Sequence, residues 1–352
     1  MSITATMVFE ASELNRDEKM GNNILTIKKL SYGNKILAFI SRNAIRHYLF
    51  YTLNRLYPED WKEAAVTVPK NSKEAIQFDL KKSNILENAE LDFFGYMSTE
   101  EGSLSTVRKA PLGITKALSF EEWRGDMAFY ANPEMAKRSG TTPNPYQKEE
   151  FFGIFKYSVT IDEDRIGKDS WIISNGETEF SEGTLKISLE ATKKKKNDSG
   201  KILFVRNLEK ISETEYKHEK GKVIIKENDN QKTINFIVDD EVKEKRIKQI
   251  LEVLQNGLVY HASTEHECII PLFMIVAKVK IPAPIFHHKL SIDFDVSPMR
   301  ITKENIEDLL SNEYIESIYL KDSPSKLTIE PFQTNIPKSQ KIDDLITKED
   351  KK

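Results

Sequence analysis

A chain of 352 residues, 39% of them apolar and 30% charged, can bury a sizeable core in one large domain or two smaller ones. Its longest apolar run falls far short of the ~20 residues that span a bilayer, and no charged N-terminal region precedes an apolar stretch, so neither a membrane span nor a secretion signal is expected. The single Cys268 excludes an intrachain disulfide and a multi-cysteine zinc site, and a cytoplasmic protein is the simplest fit.

Residues 2–11 alternate, with Ile3, Ala5, Met7 and Phe9 on one face and mostly Thr and Ser on the other. That period of two predicts a half-buried strand. Residues 14–18 leave it and 20–23 form a loop. Tyr32-Gly33-Asn34-Lys35 predicts a turn between two short apolar runs. Ser41 is a good N-cap, and Ile45, Tyr48, Leu49, Leu53 and Leu56 follow helical spacing, so an amphipathic helix is predicted from 41 to about 56. Residues 91–97 read as a short strand, 109–120 as another and 151–161 as a third, with a loop over 135–148. From 162 to 240 the chain is rich in β-prone pieces, with the lysines of 193–196 at an exposed hairpin tip. Helical spacing returns over 242–258 through Ile247, Ile250, Leu251, Leu254 and Leu258. A polar connection over 260–267 leads into an apolar strand over 268–281, which Pro282 and Pro284 stop. Beyond 321 the chain is polar, and disorder is predicted for 338–352. Strand, basic helix, strands, long insertion, helix, strand is the βαββαβ layout of a ferredoxin-like or RRM-like core, an α+β fold that by itself assigns no function.

The charge is unevenly placed. Between Lys19 and Pro58 there is no Asp or Glu, although 55 acids are spread over the chain; average density would put roughly six there. The window carries Lys19, Lys28, Lys29, Lys35, Arg42, Arg46, His47 and Arg55. Net charge is nevertheless -3, so positive charge is concentrated here and compensated elsewhere, as a polyanion-binding face requires. Arg42 and Arg46 stand one turn apart on the predicted helix, with Asn43 and His47 beside them. They gather near a helix N-terminus, whose free N–H groups and partial positive charge suit a phosphate. Two further acid-free windows are 102–120, with Arg108, Lys109 and Lys116, and 268–292, with Lys278, Lys280, His287, His288 and Lys289.

The runs Leu14-Asn15-Arg16-Asp17-Glu18 and Ile40-Ser41-Arg42-Asn43-Ala44-Ile45-Arg46-His47 resemble the start of the Cas-seven family, the backbone subunits of type I CRISPR surveillance complexes (Cascade). Phe94-Gly95-Tyr96-Met97, residues 109–119 and residues 153–162 are similar to the family's next blocks in order, closest to its DevR-like, subtype I-B branch. The resemblance spans roughly residues 1–165 and 242–285. It implies a modified RRM palm with inserted fingers and a thumb. The palm would be built from 1–60, 91–97, 151–165 and 242–290, with the thumb near 258–270. Fingers would occupy 61–150, interrupted by the palm strand at 91–97, with a β-rich branch-specific insertion over 166–241 and a polar tail over 321–352. It further implies that several copies stack along one CRISPR RNA, with other Cascade subunits, and present it to target DNA. Asn15, Arg16, Ser41, Arg42, Asn43, Arg46 and His47 would contact the guide, with Lys28 and Lys29 in the same window. Arg108, Lys109 and Lys116 would form a second surface, and His261 would lie on or near the thumb. The thumb of the family often carries a Gly-Lys or similar pair; here that stretch reads His261-Ala262-Ser263-Thr264-Glu265-His266.

The resemblance implies no catalysis, no cofactor and no metal. The competing reading is a CRISPR RNA-processing endonuclease of the Cas-six type, with a base such as His47. That family uses a glycine-rich loop near its C-terminus, whereas residues 282–352 contain no glycine. A DNA-binding autoregulator is a further alternative, without a helix-turn-helix pattern to support it. His261, His266 and Cys268 lack a fourth metal ligand nearby in sequence, and Asp17-Glu18 is an ordinary loop pair rather than a nuclease centre.

Overall fold

The structure is a computed structural model, and it describes residues 1–12, 16–17, 23–68, 76–99, 105–174, 177–188, 202–228, 231–262 and 265–346. The chain divides into two compact units. Unit 1 comprises Met1–Thr52, Gly113–Ile161 and Leu251–Lys352; unit 2 comprises Leu53–Leu112 and Asp162–Ile250.

Unit 1 is organised around one sheet. Its strands are β1 (Ser2–Ser12), β2 (Lys29–Tyr32), β3 (Lys35–Ile40), β4 (Ala117–Glu122), β5 (Phe152–Asp162), β8 (Pro271–Val279) and β9 (Ile315–Asp322). A hairpin of β6 (Leu258–Ala262) and β7 (Glu265–Ile269) precedes β8. The sheet order is β9-β8-β1-β5-β4-β3-β2, with the short strand Leu112–Ile114 paired to β5. β1 runs antiparallel to β8 and β5 to β4. Helix α1 (Arg42–Leu56) follows β3, and helix α2 (Asp240–Asn256) leads into the β6-β7 hairpin.

β1 is buried along both faces rather than one. Phe9 stacks on Phe155 at 5.6 Å and meets Tyr157 edge-on on one side. On the other, Val8 and Ile154 join Phe273, Ile275 and Ala277 in a core closed by Phe286, Leu290, Ile301, Ile306, Leu309 and Leu327. The threonines that suggested a wet face are therefore buried: Thr6 is hydrogen-bonded to Ser158 at 2.7 Å. The covering segment includes β9 and a helix over Lys303–Leu310, which Thr302 caps and which turns Ile306, Leu309 and Leu310 inward. Ile342, Leu345 and Ile346 are buried around a turn of 3-10 helix, so 338–346 is ordered, contrary to expectation; 347–352 lie outside the described residues.

Unit 2 holds a five-stranded antiparallel sheet, in the order Lys168–Ser174, Gln231–Val238, Gly221–Asn228, Glu215–His218 and Leu208–Lys210, and a three-stranded one over Glu177–Ser181, Thr184–Ser188 and Ile202–Val205. Trp171, Leu185, Ile187, Val223, Ile234 and Phe236 form its core. The expected strand over 91–97 is instead the helix Ala89–Phe94 followed by the strand Tyr96–Thr99. Glu90 and Asp92 sit in its first turn, which the helix dipole favours. Gly95, at φ +65, ends it where a Cβ would collide with the Arg108 carbonyl. The lysine run of 193–196 lies outside the described residues. Among those described, no helix is long and apolar enough to cross a membrane.

Candidate nucleic-acid interface

Helix α1 starts where the sequence predicts. The Ser41 hydroxyl accepts from the Ala44 amide at 3.2 Å, and Ile45, Tyr48, Leu49 and Leu53 are buried. No acid occupies the first turn, so the donors and positive end of the dipole remain suited to an anion from outside. Arg42, Asn43 and His47 are exposed and Arg46 is half-buried. His47 lies against the Tyr48 and Tyr51 rings, with centroids 5.9 and 6.2 Å away. β3 carries this end of the helix beside β4: Ile40 pairs with Ala117 and Phe39 with Leu118. The preceding residue, Lys116, places its ammonium 5.0 Å from the Phe39 ring centroid. Lys116, 74 positions beyond Arg42 in sequence, therefore joins Ser41, Arg42 and Asn43 as one basic edge of unit 1.

Other predicted residues are committed elsewhere. Lys28 pairs with Asp17 at 2.8 Å. Lys29 pairs with Glu149 and lies 3.7 Å over the Trp123 ring. Arg16 donates to the Glu149 carbonyl at 2.9 Å and lies 3.7 Å from Glu150. The acid-free window thus receives carboxylates from outside it, Asp17 at Lys28 and Glu149 at Lys29, and with Glu150 beside Arg16 these cations form a mixed-charge cluster rather than an open basic face.

Arg108 is corrected outright. In unit 2 its side chain is 6% exposed. It donates to Asp92 Oδ1 at 2.7 Å, to the Asp92 carbonyl at 3.0 Å and to the Lys168 and Arg165 carbonyls. Every side of the guanidinium is used internally, so it offers nothing to a phosphate. Lys109 next to it is exposed. Asn15 lies outside the described residues. His261 belongs to β6, in register with His266 on β7, so the expected polar connection is a hairpin; both side chains lie outside those described. Among the described residues no three His, Cys, Asp or Glu gather as metal ligands.

Sequence reasoning passed over Lys156. It sits on β5 opposite Leu118, with its ammonium 4.7 Å from the Phe120 ring centroid and donating to the Leu290 carbonyl at 2.8 Å. Burial lowers its pKa to about 8. Beside it, His287 is buried with Nδ1 3.1 Å from Ser158 Oγ and 3.5 Å from Thr115 Oγ1. Burial, then the positive charge of Lys156 and His288, push His287 down to about 4. The alternation of 151–161 puts Lys156 opposite Phe155 and Tyr157, which is the signal that could have found it.

A family profile described as "CRISPR-associated negative auto-regulator DevR/Csa2" matches residues 3–295. The chain belongs to the DevR/Csa2 family. Within the relatives of that family, the "CRISPR-associated protein Cas7/Cst2/DevR" of Myxococcus xanthus (strain DK1622) is 27% identical over 161 residues, 40% of this chain and 50% of that protein. The chain therefore spans about half the length of that curated relative. A chain in the solved structure titled "CRISPR RNA-guided surveillance complex, pre-nicking" is similar over 98% of both chains, with TM-score 0.52 and 10% identity. Another, titled "CRISPR RNA-guided surveillance complex", is similar over 98% of this chain and 97% of that one, with TM-score 0.47 and 10% identity. At a TM-score of 0.52 the DevR/Csa2 chain shares a fold with the first of these.

Proposed function

We propose that this DevR/Csa2 chain is a non-catalytic subunit of a type I, I-B-like CRISPR surveillance complex. It binds CRISPR RNA, repeats along it as a backbone with other Cascade subunits, and presents the guide to target DNA. The observation that carries this reading is the basic edge at the start of α1, where Arg42, Asn43 and His47 stand exposed on a helix end without acids and Lys116 is exposed just before β4. Phosphates gripped there would be held without reading sequence.

The strand order supports an RRM-derived palm. β1, β4, β5 and β8 lie in the order β8-β1-β5-β4, with α1 after the first and α2 after the third. That is the arrangement of a βαββαβ core, here extended by β9 on one edge and β3-β2 on the other. The β6-β7 hairpin is the proposed thumb. The endonuclease alternative is less well supported: among the described residues, His47 touches aromatic rings rather than a carboxylate or hydroxyl that would orient it as a base.

The test is RNA binding by the Arg42→Ala/Arg46→Ala double variant, followed by anisotropy with a labelled CRISPR RNA and by a gel of the same RNA. Affinity is expected to fall at least tenfold with the RNA uncut. Wild-type affinity in the double variant sinks the site; cleavage by the wild type that requires His47 sinks the non-catalytic reading.

A further inference from the structure

The three acid-free windows, 19–58, 102–120 and 268–292, are remote in sequence, yet parts of all three meet in unit 1. Lys116 lies over Phe39 at 5.0 Å, Thr115 is 3.5 Å from His287, and the rings of His287 and His288 are 4.9 Å apart. Register continues the surface across the strands: Phe39 is opposite Leu118, and Leu118 is opposite Lys156. Phe39, Lys116, Leu118, Phe120 and Lys156 therefore share one sheet face.

Over β1 and β8 that face is sealed by Phe286, Leu290 and Ile306. Over β3 and β4 it is not: Phe39, Leu118 and Phe120 are half-buried, while Lys116 and His288 are exposed. Phe294, 39% exposed, stands 6.1 Å from Phe120 at the margin of the cover. Among the described residues, neither Lys116 nor Lys156 has a carboxylate within ion-pair distance, in contrast to Lys28 and Lys29. The nearby Asp293 is held by Arg300 at 2.9 Å.

Partly open aromatic rings interleaved with lysines that no carboxylate neutralises are what a single strand of nucleic acid needs, because bases stack on rings and phosphates take the cations. Lys116, exposed over a phenylalanine ring, is only weakly committed and can turn to a phosphate while a base takes the ring face, whereas Lys156 is held by the Leu290 carbonyl at 2.8 Å and adds positive charge at the inner end of the strip. We propose that Phe39, Phe120 and Phe294 with Lys116 and Lys156 form a stacking subsite for one nucleotide of a bound single strand. This rests on the nucleic-acid-binding reading and extends it to a sheet surface away from the α1 motif. The subsite would tolerate any base and reject a duplex, whose bases are already stacked.

The experiment compares labelled single-stranded RNA, the same length of abasic ribose-phosphate, and duplex RNA by anisotropy over a range of salt. Wild type is expected to bind intact single strands more tightly than abasic or duplex ones. Phe294→Ala should narrow the preference for intact over abasic strands severalfold. Lys116→Gln should flatten the slope of log K against log salt by about 0.7, one phosphate contact. Both residues are surface-accessible, so folding is expected to survive, and circular dichroism checks it. If both variants keep wild-type slope and preference while Arg42→Ala/Arg46→Ala still weakens binding, the subsite is wrong and the function stands. Tight duplex binding by wild type also overturns the subsite. Absence of any RNA binding by wild type overturns both.

Discussion

His287 is a neutral imidazole fixed by hydroxyls: Ser158 Oγ lies 3.1 Å from its Nδ1, and Thr6 continues the chain at 2.7 Å. Its folded pKa, about 4, is below the ordinary value of 6.5, first because of burial. As pH falls, the unfolded chain takes up this proton before the folded one. The stability that comes from keeping His287 neutral is therefore complete above about pH 6.5 and is lost as pH falls towards 4, at up to roughly 1.4 kcal/mol per pH unit. In His287→Asn the loss of stability between pH 7 and pH 5 should shrink by about 1–2 kcal/mol, measured by urea denaturation at both values. An unchanged pH dependence would show that the buried imidazole is not what titrates. Arg108 carries a related lesson. A cation in an acid-free stretch of sequence can still be neutralised by a carboxylate brought to it from elsewhere, here Asp92.

At the scale of elements, the helix Ala89–Phe94 exists to place that carboxylate. Asp92 accepts from Arg108 and from the Gly167 amide through Oδ1, and from Arg246 of α2 through Oδ2 at 3.1 Å. Arg246 is itself 1% exposed and donates to the Ile85 and Leu86 carbonyls. Removing one member of such a buried set strands the opposite charge, so Asp92→Ala should destabilise the protein by about 3 kcal/mol or more, read as a shift in the denaturant midpoint. A change below about 1 kcal/mol would mean that water replaces the carboxylate. The same network explains why the stretch reads as a strand in sequence. Phe93 and Phe94 favour a sheet locally, and the residues that hold the helix lie 16 and 154 positions away. Helix α1 is the opposite case: its cap, its apolar spacing and its Arg55 in the last turn are all local, and only Leu56, 59% exposed, departs from the predicted apolar stripe.

For the whole molecule, the backbone reading predicts assembly governed by guide length. Light scattering after size exclusion should give complexes whose mass rises in steps as the CRISPR RNA is lengthened, with the RNA intact. A single fixed stoichiometry at every length would contradict it. On that reading assembly should weaken steeply with salt, because the proposed contacts of the exposed edge of unit 1 are made by Arg and Lys rather than by an apolar interface. The sequence by itself determined the strands and helices whose periodicity is local, namely β1, β5, β8, α1 and α2, the β-rich character of 162–240, and the family, whose motifs are contiguous. Tertiary structure alone decided that β1 is buried on both faces, because the segment after 282 that covers it, although its helix is capped and amphipathic, meets β1 only through contacts remote in sequence. It alone decided which cations remain available. Availability depends on the carboxylates that folding brings near: Asp17, Glu149 and Asp92 claim Lys28, Lys29 and Arg108. Lys116 and Lys156, with no carboxylate in ion-pair distance among the described residues, lie over aromatic rings, Lys116 exposed and Lys156 half-buried against the Leu290 carbonyl.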